Sequence, residues 1–347
     1  MKKLEVITAR IFVFTLLFSA FNFASAQTLT NRPNVNINSN CNGYVEFLPG
    51  EYSTNNQNYP LLVFLHGNSE FGPGTDSSLE SVRVMGPNYW VATYLNPPSS
   101  WIPFPGLADL KKMIMISPQF VGPSVYSNPP NSGQIDGIID YVCNHYRIDR
   151  SRIYLAGVSM GGGKTEDYGG TYPYRLAGIM PFAGASGAYQ VYADAMAASN
   201  LPVWMFNNTG DNVVGPWVTQ GWINLINNPT WPIPGPTPSA IATYPNVYGH
   251  VYDDQYRGVD TASNGMNMNI YHWMLLHSRA DYFMGGYGPS WENPNNWSYK
   301  QVPNDSTEVI INAGPVIVNS NVSCKKITVK PGVNLTVKAG YTVSVKQ

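Results

Sequence analysis

The sequence predicts an α/β fold, a mostly parallel sheet flanked by helices, followed by a small all-β module at the C-terminus. Three observations carry this. Short continuous apolar runs alternate with helical stretches from Leu61 onward. One of those runs leads into a serine flanked by glycines. Past residue 286 the pattern changes to short β-branched runs with no helix between them.

Residues 61–65 form a continuous apolar run, bounded by Tyr59-Pro60 before and His66-Gly67 after, and read as a buried strand. Residues 113–116, 153–156, 177–180 and 202–206 read as four more. Ile135, Ile138, Ile139 and Val142 fall at i, i+3, i+4 and i+7, the spacing of one helical face turned to a core. Continuous apolar strands alternating with helices imply a parallel sheet covered on both faces. Residues 27–58 read as earlier, more exposed strands, clearest at 44–47. A glycine-rich break at 285–289 precedes short strand-like triplets at 309–311, 316–318, 327–329, 335–337 and 343–345. Their spacing of roughly ten residues suggests short strands and the start of a β-solenoid. The expected division is a signal peptide over 1–26, a catalytic domain over 27–285 and a β-rich module over 286–347.

The N-terminus argues for export. Lys2, Lys3 and Arg10 precede an apolar run over 11–23, and Ala24-Ser25-Ala26 offers small residues for cleavage. The run is shorter than the ~20 residues a membrane-spanning helix needs. Residue 27 is Gln, not Cys, which gives no lipid-anchoring signal. A secreted or cell-surface location follows.

Composition narrows the function further. Charged residues are 12% of the 347 and the formal net charge is −1, against about 25% charged in ordinary soluble domains. No basic field exists to hold nucleic acid. Cys41, Cys143 and Cys324 allow at most one disulfide, and their spacing fits no zinc site. Neither a metal nor an organic cofactor is expected.

The segment Gly157-Val158-Ser159-Met160-Gly161 matches G-x-S-x-G, a sharp strand-to-helix turn that raises a serine above the sheet. Small neighbours let that turn approach the flanking strand and helix closely. The overlapping Gly161-Gly162-Gly163-Lys164-Thr165 resembles the end of a phosphate-binding loop. That pattern requires Gly at 158, where this chain has Val. Lys164 then reads as a solvated helix residue.

A serine nucleophile needs a base, and on such a sheet the order is Ser, acid, His. His250 lies in a loop after the apolar segment 241–244 and is the candidate base. His272 and His277 fall on a helical pattern, and His66 reads as a structural loop residue. Asp211 follows the strand at 202–206 through Asn207-Asn208-Thr209-Gly210, at the carboxyl edge where active sites collect. There it can fix the histidine tautomer, or simply serve a turn. Asp194, Asp253 and Asp254 are rivals that follow no buried strand. Oxyanion donors are expected from the backbone N–H of Met160 and of Asn68.

These motifs together resemble bacterial esterases of the α/β-hydrolase superfamily. The group is that of predicted peptidases and dienelactone-hydrolase-like proteins, related to polyhydroxybutyrate depolymerase-like and feruloyl or acetyl xylan esterases. The residues carrying the resemblance are Leu65-His66-Gly67-Asn68-Ser69-Glu70, Ile116-Ser117-Pro118-Gln119, the run from Arg147 to Tyr154, the serine turn, Gly210-Asp211 and Tyr271-His272-Trp273-Met274-Leu275. It spans about 59–280 and implies an α/β-hydrolase fold with Ser159, Asp211 and His250 as triad. Many relatives carry a Trp shortly after the histidine, where this chain has Tyr252. A loop over 86–105, with Trp90 and Trp101, is peculiar to this chain. Trp90, Trp101 and Tyr252 are therefore the candidate substrate contacts. The module opening at Trp291 resembles β-rich appendages of exported bacterial proteins.

The expectation is a secreted serine hydrolase of carboxylic esters, acting on an ester substrate linked to carbohydrate or plant polymer. A serine peptidase or a lipase or polyester depolymerase on the same triad is the alternative. An inactive surface binding protein is a third.

Overall fold

The computed structural model describes residues 27–97, 103–124, 128–230, 240–258 and 268–346. The expected signal peptide and Trp101 lie outside the described residues. Eight strands form one sheet: β1 (Thr28–Asn38), β2 (Cys41–Leu48), β3 (Tyr59–Leu65), β4 (Ile114–Phe120), β5 (Ile148–Val158), β6 (Gly178–Phe182), β7 (Trp204–Phe206) and β8 (Ile241–Thr243). Their order is β1-β2-β4-β3-β5-β6-β7-β8. β2 runs antiparallel to both neighbours, and β3 to β8 are parallel.

Both faces are covered, as the continuous apolar strands predict. Along β3, Leu62 and Phe64 enter one core while Leu61, Val63 and Leu65 enter the other. Complete burial of each such side chain is worth about 1.5–3 kcal/mol. The first face is closed by α1 (Asp76–Arg83), α2 (Gly86–Leu95) and α3 (Leu107–Leu110). The second is closed by α4 (Ser132–His145), α5 (Met160–Thr171), α6 (Gln190–Ala198) and α7 (Pro216–Asn227). The short α8 (Asp253–Tyr256) and α9 (Ile270–Leu275) return to the first face. α4 carries Ile135, Ile138, Ile139 and Val142 into the core. It starts on a capping box in which the Asn131 and Gln134 side chains each accept from the other residue's amide.

One expectation changes. The region over 86–105 is not wholly a loop, because Gly86–Leu95 is helical, with Pro87 in its first turn and Val91 buried. The three cysteines are all buried and free, so no disulfide forms among them. No helix among the described residues is long and apolar enough to cross a membrane.

The C-terminal strands are β9 (Asp281–Phe283), β10 (Glu308–Ile311), β11 (Val316–Val318), β12 (Val322–Cys324), β13 (Lys326–Val329), β14 (Leu335–Val337) and β15 (Val343–Val345). They stack as a parallel solenoid. β10 lies over β13, β11 over β14 and β12 over β15, with Val309 opposite Ile327, Ile317 opposite Thr336 and Ser323 opposite Ser344. β9 pairs in parallel with the other edge of β10, so the stack begins on a strand before the glycine-rich break. Phe283, Trp291 and Trp297 fill its core with Val309, Ile311, Val316, Val318 and Cys324.

The stack is anchored to the large sheet by polar contacts. Lys300 Nζ donates to Asp136 (2.6 Å) and Asp140 (2.5 Å) of α4, and Arg175 donates to Asp140 (2.8 Å). Arg150 donates to the Tyr299 carbonyl at 2.7 Å.

Candidate active site

Ser159 sits alone between β5 and α5, at φ 56° and ψ −118°. A non-glycine residue there is strained by on the order of 1–3 kcal/mol, so the surroundings must hold it. Its amide donates to the Phe182 carbonyl (2.9 Å), and its own carbonyl accepts from Gly163 and Ala185 (both 3.0 Å). The glycines of the motif are steric requirements. A Cβ on Gly161 would lie 2.3 Å from the Leu65 oxygen and 2.4 Å from that of His66. Gly161, Gly162 and Gly163 are inside α5, not in a phosphate-cradling loop. Lys164 pairs with Asp167 one turn on (2.9 Å).

The loop after β3 is pinned from below. The His66 ring is buried, accepts at Nε2 from the Phe120 amide (3.0 Å), and places Nδ1 2.5 Å from the Gly67 oxygen. The first contact puts the proton on Nδ1, so His66 is a neutral strut. Burial lowers its pKa to about 4, against the opposing effect of the Gly67 bond. The loop reaches Ser159: a Cβ on Gly67 would be 3.9 Å from Ser159 Cβ. Asn68 follows on the exposed side. Met160 opens α5, whose first N–H groups have no intrahelical acceptor.

Asp211 and His250 are brought together. Nδ1 of His250 is 2.6 Å from Asp211 Oδ2. The same oxygen accepts from the Tyr252 hydroxyl (2.7 Å), and Oδ1 accepts from the amides of Val213 (2.8 Å) and Val214 (2.9 Å). Burial raises the Asp211 carboxyl, and these four hydrogen bonds outweigh it, leaving the group below the usual carboxylate range. With Nδ1–H given to Asp211, Nε2 of His250 is the basic nitrogen. It is buried and bonds no described group, Ser159 included. His250 is thus oriented by Asp211, with Nε2 directed away from that contact.

Asn208 is a supporting residue that the sequence reading missed. Its side-chain amide donates to the carbonyls of Gly249 (2.9 Å) and Val251 (2.7 Å), bracketing His250 on both sides. A neighbouring pair of Asn residues in a turn was the only sequence signal. The rival residues are occupied elsewhere. Asp194 accepts from Thr230 and Gln190, and Asp253 and Asp254 open α8. His272 faces Asp109 at 3.6 Å, and His277 contacts the Trp273 carbonyl at 2.8 Å.

The candidate substrate contacts fare differently. Tyr252 is buried, and its hydroxyl is committed to Asp211. Trp90 is half-buried on α2 beneath the Arg257 guanidinium (4.9 Å to the ring), which makes it a packing residue. Trp101 is outside the described residues.

No family model matches the sequence, and no curated protein is similar to it at the sequence level. Among solved structures the chain is similar to a thermostable esterase, with 23% identity, 68% of this chain and 59% of that chain covered, and a TM-score of 0.48. The chain therefore spans under two thirds of that esterase. It is also similar to a ferulic acid esterase from Anaeromyces mucronatus (19% identity, 67% and 87% covered, TM-score 0.43). An S-formylglutathione hydrolase from Staphylococcus aureus matches at 16% identity, 72% and 96% covered, TM-score 0.46. At these identities and TM-scores the likeness says nothing of substrate. A serine raised on a strained turn beyond the middle strand, on a sheet with this order and this antiparallel second strand, is an α/β-hydrolase arrangement, and the chain has the α/β-hydrolase fold.

Proposed function

We propose that the protein is an exported serine esterase, with Ser159 as nucleophile, His250 as general base and Asp211 as the acid that orients it. The observation that carries this reading is the Asp211–His250 pair, whose outer nitrogen is left without a described partner while the serine stands on its elbow. His250 Nε2 takes the proton of Ser159 Oγ as that oxygen attacks an ester carbonyl. The tetrahedral oxyanion is held by the amides of Met160 and Asn68, and donors of this kind are worth about 3–4 kcal/mol each. His250 returns the proton to the departing alcohol, and water repeats the cycle on the acyl-enzyme. Asp211 stays ionised and stabilises the imidazolium.

The substrate we assign is an ester borne on carbohydrate or plant polymer, of acetyl or feruloyl type. Its support is the export signal read at the N-terminus and the low charged fraction of 12%. A fluorescent fluorophosphonate tests the nucleophile directly. The native mature protein should label, and Ser159→Ala and heat-denatured protein should not. A native protein that stays dark while a reference serine esterase labels would overturn the reading.

A further inference from the structure

The rim of the site has a composition that the proposed chemistry does not require. Between Leu176 and Tyr252 the chain contains no Lys, Arg or Glu, and its only acidic residues are Asp194 and Asp211. Both are buried. The loops following β6, β7 and β8, two of which carry Asp211 and His250, thus present no fixed charge to solvent before the exposed Asp253 and Asp254 that open α8.

Two aromatic side chains stand on that neutral rim, Trp217 with 75% and Tyr248 with 81% of its surface exposed. Single exposed apolar residues are ordinary, but these two are positioned. A Cβ on Gly215 would lie 2.0–2.3 Å from three carbons of the Trp217 indole, so the ring lies directly over that glycine. A Cβ on Gly210 would meet Tyr248 Cα at 2.9 Å and its ring at 3.2 Å. Each ring therefore rests on glycine backbone and leaves most of its surface to solvent.

Both are also tied to the triad. Val214, adjacent to Gly215, donates to Asp211. Gly210 pairs with Tyr248 through Gly210 N–H to the Val247 oxygen (3.1 Å) and Gly249 N–H to the Gly210 oxygen (2.9 Å). The neighbouring polar groups are neutral: Thr209 donates to Asn246 (3.1 Å), and the Tyr244 hydroxyl donates to Gln220 (3.1 Å).

We infer that Trp217 and Tyr248 form a binding site for the sugar rings of a neutral polysaccharide, holding the chain beside Ser159 while one of its ester groups enters. The inference rests on the esterase reading and adds the ligand and the residues that take it. A pyranose offers an apolar C–H face, which packs on an aromatic ring, and hydroxyls, which neutral amides and hydroxyls can bond. An anionic polymer would find no cation on these loops.

The test uses the full mature chain. Trp217→Ala with Tyr248→Ala should lower the ratio of kcat/KM on acetylated xylan to kcat/KM on p-nitrophenyl acetate by roughly tenfold or more. The loss should lie in KM for the polymer, and Trp217→Phe with Tyr248→Phe should recover most of it. An unchanged ratio would overturn the proposal, as would Phe variants no better than Ala. Ser159→Ala protein mixed with insoluble xylan or with an aliphatic polyester film supplies a readout independent of turnover. Retention on xylan that is lost in the double Ala background supports the site, even if no ester is cleaved and the esterase reading has failed. Preferential retention on polyester refutes it.

Discussion

Replacing Asp211 by Asn is the sharpest probe of the site because the structure dictates how the amide must sit. Oδ1 of Asp211 faces the N–H groups of Val213 and Val214, both of which can only donate. The amide oxygen of Asn must therefore stay there, turning its NH2 toward His250 and Tyr252. His250 can then meet that NH2 only as an acceptor at Nδ1, which moves its proton to Nε2. Nε2 becomes a donor and can no longer take the Oγ proton. A carboxylate-to-amide change with this tautomer consequence costs about 10⁴ in kcat, or roughly 5 kcal/mol of transition-state stabilisation. The assay is kcat on p-nitrophenyl acetate across pH 6–10, with a thermal melt to establish that the variant is folded. A folded Asp211→Asn enzyme that loses less than tenfold would refute the assignment of Asp211 and with it the tautomer argument.

Other expectations follow from the same contacts. Tyr252→Phe keeps the packing but removes one donor from Asp211; kcat/KM should fall by about tenfold, and undiminished activity would remove Tyr252 from the support of the acid. Gly161→Ala forces a Cβ against the backbone oxygens of Leu65 and His66, so α5 must move from β3 at a cost of roughly 1–3 kcal/mol or more; a melting temperature within a degree of the parent would contradict this. Burial holds the Asp281 carboxyl up at about 7. A raised carboxyl contributes its stability while protonated and loses it as pH rises from the unfolded value through 7. Asp281→Asn keeps the acceptor for Ser298 and Tyr299, so it should raise the melting temperature relative to the parent at pH 8.5 and lose that advantage at pH 5; equal shifts at both would refute the titration.

Periodic, continuous apolar segments were the legible part of the fold. The runs within β3 and β4 and the face of α4 declare themselves because burial on both sides of a parallel sheet leaves no room for polar residues. β1 was hard to see, since its residues are mostly half-exposed and include Arg32, Pro33 and four Asn. β12 has only three residues, Val-Ser-Cys, too few to show a period. α7 opens on Gly-Pro, which reads equally well as a turn. At the site, Ser159, Asp211 and His250 each follow a recognisable strand, so chain order alone nominated them. Tyr252 and Trp217 could not be sorted that way. Tyr252, just before α8, is buried against Asp211, while Trp217, in the first turn of α7, is exposed, and only the path of the chain after β7 and β8 decides which.

The clamp of Lys300 on α4 gives the α/β body a second duty. A β-solenoid needs a terminal unit that covers its first coil, because each coil alone cannot bury its apolar face. Here Phe283, on the short strand that follows α9, lies in the solenoid core, and the clamp of Lys300 on Asp136 and Asp140 fixes that end. The α/β body thus serves as the N-terminal lid of the repeat. Coils can be lengthened, shortened or exchanged at the far end without disturbing a side chain of the triad, whereas a cut at the glycine-rich break would strip the repeat of its floor.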